Sequence, residues 1–261
     1  VEIIVKTEAP YLSIGNPANG DIVSGEFYIK GRIEDDDFAT FQLFISDTEL
    51  TTTPILQDDP SPKLPYQLIF EASAKPRTET LAKMNTEDLD DGDYQIWLIA
   101  QDLLQHSSVF KVMIRTDNTA PIVKISLPKA NQRVLKQVTI SAVTSDINLD
   151  SYRLESSIDA GGKSWEQIYL QAGLYQKSED GLLPKPELKT VQINRDWEIP
   201  ILEGSVRIWL TATDIVGNTH SQTIQVEVPT HCSARKGGII SPQDQQVELY
   251  FPPNTLAQDE I

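Results

Sequence analysis

Hydrophobic and polar residues alternate with a period of two along much of the chain. In one early segment Ile29 and Ile33 share a face, while Lys30 and Arg32 occupy the other. A period of two is typical of β-strands that bury one face and expose the other. The pattern predicts an all-β chain of antiparallel sheets that pack in pairs. It recurs in later runs: Tyr94-Ile96-Leu98-Ala100, Phe110-Val112-Ile114, Val138-Ile140-Ala142, Val206-Ile208-Leu210-Ala212 and Ile224-Val226-Val228.

Turn-forming residues separate these runs. Gly and Asn tolerate the backbone conformations of tight turns. Four dipeptides that contain them mark predicted turns: Asn19-Gly20, Asp91-Gly92, Gly161-Gly162 and Gly217-Asn218. Residues 75–90 look potentially helical, and we interpret them as a short surface insertion. We expect long irregular loops in the proline-rich residues 51–65 and in residues 171–190.

The chain contains an internal duplication. Ala9-Pro10 and Ala120-Pro121 open similar strand-like runs. The interval from Trp97 to Trp209 is nearly the same as the interval between those two prolines, and an aspartate follows each tryptophan at equal spacing. A nearly constant offset at both ends of the unit indicates two tandem domains. We predict one domain over residues 1–116, a second over 117–229, and a C-terminal β segment over 230–261.

Two motifs resemble bacterial Ig-like tandem repeats of large extracellular proteins. The first is the linker Asp117-Asn118-Thr119-Ala120-Pro121, and the second is the pattern from Gly204 through Asp214 to Gly217-Asn218. The resemblance implies two tandem Ig-like or fibronectin-like antiparallel β-sandwiches. In the first unit Leu103-Leu104-Gln105-His106 replaces the Gly-Asn turn, so we expect a hairpin of different shape there.

The C-terminal segment resembles the start of a ZU5-type β domain. The resemblance rests on Gly237-Gly238 before a short apolar run and on a second run that ends at Pro252-Pro253. It implies that the chain stops inside a further domain and belongs to a longer polypeptide. The alternative is a tail that packs a hairpin onto the second sandwich.

Charge and composition exclude some partners. The 261 residues carry 22 Lys and Arg against 38 Asp and Glu, a net charge of −16. Nothing would neutralise phosphates, so we expect no nucleic-acid binding and no docking on an anionic membrane. No apolar run reaches the ~18 residues that membrane insertion needs. The single cysteine, Cys232, excludes a disulfide within the chain.

Carboxylates are the abundant chemical groups of this sequence. Asp35 and Asp36 end one predicted strand, Asp102 ends another, and Asp117 lies at the junction between the units. If these four side chains converge, they form an oxygen-only cluster that suits Ca²⁺, which takes about 6–8 oxygen ligands. The alternative is that they are solvated loop carboxylates and Asx turns. No other cofactor is indicated.

Trp97 and Trp209 lie out of phase with the predicted core faces. An exposed aromatic residue on a sheet can stack on a sugar or anchor a partner. The alternative, favoured by the repetition at one position, is a central strand buried on both sides. Trp165 and Trp197 are expected to anchor the core or a loop of the second unit.

The sequence favours a non-catalytic function, since it contains no Gly-x-Ser-x-Gly elbow, His-Glu-x-x-His motif or phosphate-binding loop. We expect a spacer, display or adhesion module of a secreted or cell-surface bacterial protein, with a protein or carbohydrate partner. The alternatives are an accessory region of a secreted multidomain enzyme and a eukaryotic-type scaffold leading into a ZU5 domain.

Overall fold

The computed structural model divides the chain into two compact units. Unit 1 comprises Val1–Thr119 with Lys177–Lys185, and unit 2 comprises Ala120–Gln176 with Pro186–Ile261. The described residues form strands, turns and irregular segments, and they contain no helix that is long and apolar enough to cross a membrane. The structure describes residues 8–47, 67–73, 79–158, 163–178, 182–201, 204–229, 238–240 and 249–254.

Unit 1 contains eight described strands in two sheets. The first sheet has the order β1-β3-β6 and the second has the order β2-β8-β7-β4-β5. All pairings are antiparallel except that of β2 with β8. The strands are β1 (Tyr11–Asn16), β2 (Asp21–Val23), β3 (Glu26–Glu34), β4 (Phe38–Ser46), β5 (Gln67–Ala72), β6 (Thr80–Asn85), β7 (Gly92–Asp102) and β8 (Ser107–Thr116).

The core of unit 1 takes side chains from both sheets. Ile29 and Ile33 come from the first sheet, and Leu43, Ile96 and Ile114 come from the second. Burying one such side chain contributes roughly 1.5–3 kcal/mol. The alternation along β3, β7 and β8 therefore places the predicted hydrophobic faces between the sheets, and the predicted all-β sandwich is confirmed.

Unit 2 repeats this architecture. Its two sheets have the orders β13-β10-β9 and β12-β11-β14-β15, and its core contains Ile140, Leu154, Ile208, Leu210 and Val226. The strands are β9 (Ile122–Leu127), β10 (Gln137–Asp146), β11 (Leu149–Ser157), β12 (Glu166–Gln171), β13 (Lys189–Glu198), β14 (Gly204–Asp214) and β15 (Thr219–Val228).

Two further strands, β16 (Gly238–Ile240) and β17 (Leu249–Phe251), form an antiparallel hairpin. Both strands belong to unit 2. The resemblance to a ZU5-type domain stays a prediction.

The interpretation of residues 75–90 as a potentially helical surface insertion is wrong for the part that the structure describes. Thr80–Asn85 forms strand β6, which pairs with β3. Leu81, Ala82 and Met84 are buried there, because pairing with a neighbouring strand outweighs the local helix propensity. The expected loop at 171–190 is irregular over 172–178 and 182–188, and residues 51–65 lie outside the described residues.

Candidate functional site

An aspartate organises the turn between β14 and β15. Asp214 Oδ1 accepts the backbone N–H groups of Val216, Gly217 and Asn218 at 2.9, 2.7 and 2.9 Å. Its other oxygen, Oδ2, accepts a hydrogen bond from Asn218 Nδ2 at 2.8 Å. Gly217 has φ +97°, a conformation that favours glycine. The buried carboxylate therefore satisfies most donors of this turn.

The turn between β7 and β8 of unit 1 has the same construction. Asp102 Oδ1 accepts the N–H groups of Leu104 and His106 at 2.9 and 2.8 Å. Asp102 Oδ2 lies 2.9 Å from His106 Nδ1, so the ionised carboxylate accepts the ring N–H. Gln105 has φ 70° and occupies the place of Gly217.

The expectation of a differently shaped hairpin in unit 1 is therefore wrong. His106 replaces Asn218 as the side chain that caps the aspartate, and it holds the same position relative to it in the turn. The backbone bonds also match, because Asp102 N–H donates to His106 O and Asp214 N–H donates to Asn218 O, both at 3.1 Å. The turn depends on a donor side chain at this position and not on the Gly-Asn pair itself.

The Asp102 carboxylate is held in its ionised form. Burial alone would raise its pKa, but the hydrogen bonds from the His106 side chain and from the His106 and Leu104 amides outweigh burial. The net effect lowers the pKa of Asp102 below its ordinary value of 3.8.

We predict an acid-dependent contribution of Asp102 to the stability of unit 1. A lowered folded-state pKa means that this contribution is complete above pH 3.8 and is lost as the pH falls through the folded pKa. Thermal unfolding of the protein and of Asp102→Asn should therefore differ at pH 5, where the Asp102 carboxylate is ionised in the folded protein. The difference should shrink towards pH 2.5, and a pH-independent difference would contradict the assignment.

The loop after β3 is bonded to the turn that contains Asp102. Asp35 Oδ1 accepts the N–H of Asp37 at 2.7 Å, and the Leu103 N–H donates to Asp37 O at 2.8 Å. Asp36 is exposed. Asp35 and Asp102 thus stabilise two neighbouring loops at one end of the unit, each through its own turn.

Asp117 lies at the opposite end of unit 1. It directly follows β8, whose first residue pairs with Gln101 and whose last residue pairs with Gly92. Ten extended residues span about 33 Å, so Asp117 is not brought together with Asp35, Asp36 or Asp102. Asp117 is buried, its N–H donates to Val23 O at 3.0 Å, and its Oδ1 accepts the Thr119 N–H at 3.3 Å.

Unit 2 brings two buried carboxylates together. Asp146 ends β10 and Asp214 ends β14, and a carboxylate oxygen of each lies within 4.8 Å of the other. Asp146 Oδ1 accepts the N–H of Asn148 at 2.7 Å, and the Ile215 N–H donates to Asn148 O at 3.0 Å. Backbone amides thus compensate part of the repulsion between two like charges in a partly dehydrated place.

Calcium binding by the loop carboxylates stays a prediction, and thermal unfolding in millimolar Ca²⁺ and in EDTA tests it. A ligand at one hundred times its Kd stabilises the native state by about 2.7 kcal/mol, which raises the melting temperature of a domain of this size by roughly 10–20 °C. Asp35→Asn, Asp36→Asn and Asp102→Asn should weaken the response, whereas Asp117→Asn, at the other end of unit 1, should leave the response of this end unchanged. Asp146→Asn is the comparison in unit 2. Identical melting curves in Ca²⁺ and EDTA would contradict it.

The two repeated tryptophans, Trp97 and Trp209, contact other side chains of their own units. Trp97 is buried, and its Nε1 donates to Gln95 Oε1 at 3.0 Å. Trp209 packs against Trp165 in a tilted arrangement, with 5.0 Å between ring centroids and 52° between the ring planes. Both lie on strands with a neighbour on each side, β7 and β14. The interpretation of a central strand buried on both sides is confirmed for Trp97, whereas Trp209 lies on a central strand but is only half-buried. Trp197 packs against the core of unit 2.

The described histidines bind neighbouring groups of the fold. His106 holds Asp102, and His220 Nδ1 lies 2.9 Å from Pro121 O. His231 and Cys232 lie outside the described residues. The role of His106 was missed at the level of sequence, although its position matches Asn218 in the duplication.

No protein-family model matches the chain, and no curated protein matches its sequence significantly. Solved structures with a similar course of the chain include latent PorU from Porphyromonas gingivalis, at 13% identity and TM-score 0.27 over 89% of this chain. They include a tetra-tandem repeat from the extending region of a large adhesion protein, at 15% identity and TM-score 0.32 over 84%. A third is from a 1.5-MDa bacterial ice-binding adhesin, at 10% identity and TM-score 0.38 over 92%.

The chain spans 25% of the PorU chain, 49% of the tetra-tandem repeat and 72% of the ice-binding adhesin structure.

Proposed function

We propose that this chain is a non-catalytic spacer, display or adhesion module of a large bacterial extracellular protein. The observation that carries the proposal is the path of the chain through each unit. In unit 1 the chain enters beside the loops that follow β3 and β7, because Tyr11 pairs with Glu34. It leaves at the other end, where Thr116 pairs with Gly92.

Unit 2 has the same lengthwise path. Ile122 pairs with Ser145 where the chain enters, and Val228 pairs with Gly204 where it leaves. A domain whose chain enters and leaves at opposite ends adds its own length to the polypeptide, which is the property that a spacer needs. By contrast, a binding or catalytic domain inserted as a side branch has neighbouring termini.

In each unit, a segment that follows the first strand pairs in parallel with the last strand, an arrangement that resists extension. In unit 1, β2 pairs with β8 in parallel. In unit 2, Val134 N–H donates to Glu227 O at 2.9 Å and Glu227 N–H donates to Gln132 O at 3.0 Å, beside a parallel bridge at Arg133. Tension between the two ends of a unit loads these hydrogen bonds together, in shear along the strands.

Single-molecule stretching of the whole chain from its two ends tests the spacer function. We expect two separate unfolding events, and each should lengthen the tether by roughly 350 Å, because an extended chain reaches ~3.6 Å per residue and a folded ten-residue strand spans ~33 Å. The chain in denaturant is the control and should show no events. A single event that releases both units, or smooth extension without events, would contradict the proposal.

A further inference from the structure

The outer face of the sheet β1-β3-β6 carries an open polar groove of about 350 Å³ in unit 1. Lys30 and Arg32 of β3 line it, together with Ser13 and Asn16 of β1 and Glu79, the residue before β6. Tyr28 lies on the same face of β3 and is 50% exposed. We refer to Tyr28, Lys30 and Arg32 as the β3 triad.

Two irregularities in strand pairing form the groove. The β1–β3 register shifts between Ile14 and Asn16, and the β3–β6 register shifts between Ile29 and Lys30. Each shift leaves one residue unpaired and bends the strand. Gly15 sits at the first shift, and a Cβ added there would meet no atom within 4 Å, so this part of the groove is open space.

The two cations of the groove are available to a ligand. Arg32 lies 3.8 Å from Glu34 and 3.5 Å from Glu79, and all three side chains are largely exposed, so water screens these pairs and makes them weak. Lys30 is exposed and has no ion pair among the described residues. Lys30 and Arg32 thus lie on one face of β3, where Glu34 and Glu79 balance part of their charge.

The duplication shows that the fold does not require the β3 triad. The offset that aligns Pro10 with Pro121 places Thr139, Ser141 and Val143 at the corresponding positions, on the matching face of β10. The inward residues between them are similar in kind, since Ile29 and Ile140 are both fully buried. Unit 2 therefore builds the same sheet with small neutral side chains at the three outward positions.

We propose that the β3 triad and its groove bind an acidic oligosaccharide, a chain of sugars that carries carboxylate or sulfate groups. Arg32 presents a planar fork of donors that matches a carboxylate or a sulfate, and Lys30 adds a second positive charge. Tyr28 lies on the same strand as Arg32, about 13 Å away along β3, and its exposed ring can stack on the apolar face of a sugar.

The dimensions of the face favour an oligosaccharide over a single sugar. Tyr11, which is 61% exposed, pairs with Glu34 at the far end of β3. Tyr11 and Tyr28 therefore mark the two ends of a strip about 20 Å long, with both cations between them. The inference rests on the proposed function, because it names the ligand through which the module would adhere.

Isothermal titration calorimetry with the whole chain tests the site. The probes are a sulfated tetrasaccharide from heparin, tetragalacturonate, and the neutral cellotetraose as a control of equal length. We expect the two acidic probes to bind and the neutral probe to give no heat. Binding should weaken as salt rises, because exposed charges are screened.

The variants transplant the residues of unit 2 into unit 1. The double change Lys30→Ser with Arg32→Val should weaken binding of both acidic probes at least tenfold, and Tyr28→Thr should weaken it about fivefold. Lys124→Ser removes an exposed lysine from unit 2 and should leave binding unchanged. Thermal unfolding of each variant checks that it is folded, and Lys30→Ser alone replaces the double variant if that variant melts early.

Three outcomes would overturn the inference: no binding of either acidic probe, equal binding by the transplanted variant, or equally tight binding of a single-stranded oligonucleotide of the same charge. The last outcome would indicate unspecific attraction of polyanions. The stretching experiment separates this inference from the proposed spacer function, because the transplanted variant should still show two unfolding events.

Discussion

Replacing Gly31 by alanine should destabilise unit 1 by about 3 kcal/mol and lower its melting temperature by roughly 15 °C. A Cβ on Gly31 would stand 2.1 Å from the carbonyl oxygen of Ser13 and 3.1 Å from Leu81 Cδ1. The Ser13 oxygen belongs to the backbone of β1, which pairs with β3 through Ile14 and Leu12. It cannot move away without separating the two strands, so the cost lies at the upper end of the range for overpacked cores.

Two other substitutions provide the controls for this prediction. Gly92→Ala, on β7 of the same unit, adds a Cβ that meets no atom within 4 Å, and it should change stability by less than about 1 kcal/mol. Ala142 of unit 2 holds the position that corresponds to Gly31, and Ala142→Gly should cost about 1 kcal/mol. Calorimetry gives the melting temperatures of the three variants and of the parent protein. If Gly31→Ala melts at the same temperature as the parent, the close contact of Gly31 with Ser13 is refuted.

The strands of the core could be predicted because their signal is local and repeated. Alternation fixes which side chains share a face, and a one-residue slip would turn every hydrophobic residue outward. The duplication shows the same alternation a second time, with Ile29 and Ile140 at matching positions. Fold class and the tandem arrangement follow from these two regularities.

Strand β6 could not be predicted because its conformation depends on a distant partner. Thr80–Asn85 pairs with β3, from which β4, β5 and their connections separate it along the chain, and nothing within the segment indicates that pairing. The prediction of a differently shaped turn at Asp102 was wrong for a related reason. Comparison of residue types suggested that His106 differs from Asn218, whereas the geometry requires only a side chain that donates to the aspartate.

The acidic site was only partly predictable, because spacing along a strand does not say at which end of a sheet a residue lies. Asp102 and Asp117 are close in the sequence, but a turn and the full length of β8 separate them in space.

The β3 triad could not be predicted from the sequence for another reason. Exposed polar residues are expected on the outer face of any strand, so nothing singled out these three. Only the comparison with Thr139, Ser141 and Val143 of unit 2 shows that the fold does not require them.

Replacing Asp214 by alanine should destabilise unit 2 by about 3 kcal/mol, because three backbone amides and the Asn218 side chain lose their acceptor in a place that water reaches poorly. Glu198→Ala is the matched control, since it removes the same charge from an exposed pair with Lys136. A pair of that kind contributes at most about 1 kcal/mol. Calorimetry in EDTA should show a fall of more than about 10 °C for the first variant and little change for the second.

Asp214→Asn separates the two roles of this carboxylate. The asparagine oxygen can still accept the N–H groups of Val216, Gly217 and Asn218, but the amide cannot accept a bond from Asn218 Nδ2 through its second atom. Neutralising Asp214 also removes its repulsion with Asp146, which lies within 4.8 Å. The gain offsets part of the loss, so Asp214→Asn should melt between the parent and Asp214→Ala. An asparagine variant as unstable as the alanine variant would show that the negative charge, and not the acceptor oxygen, holds this turn.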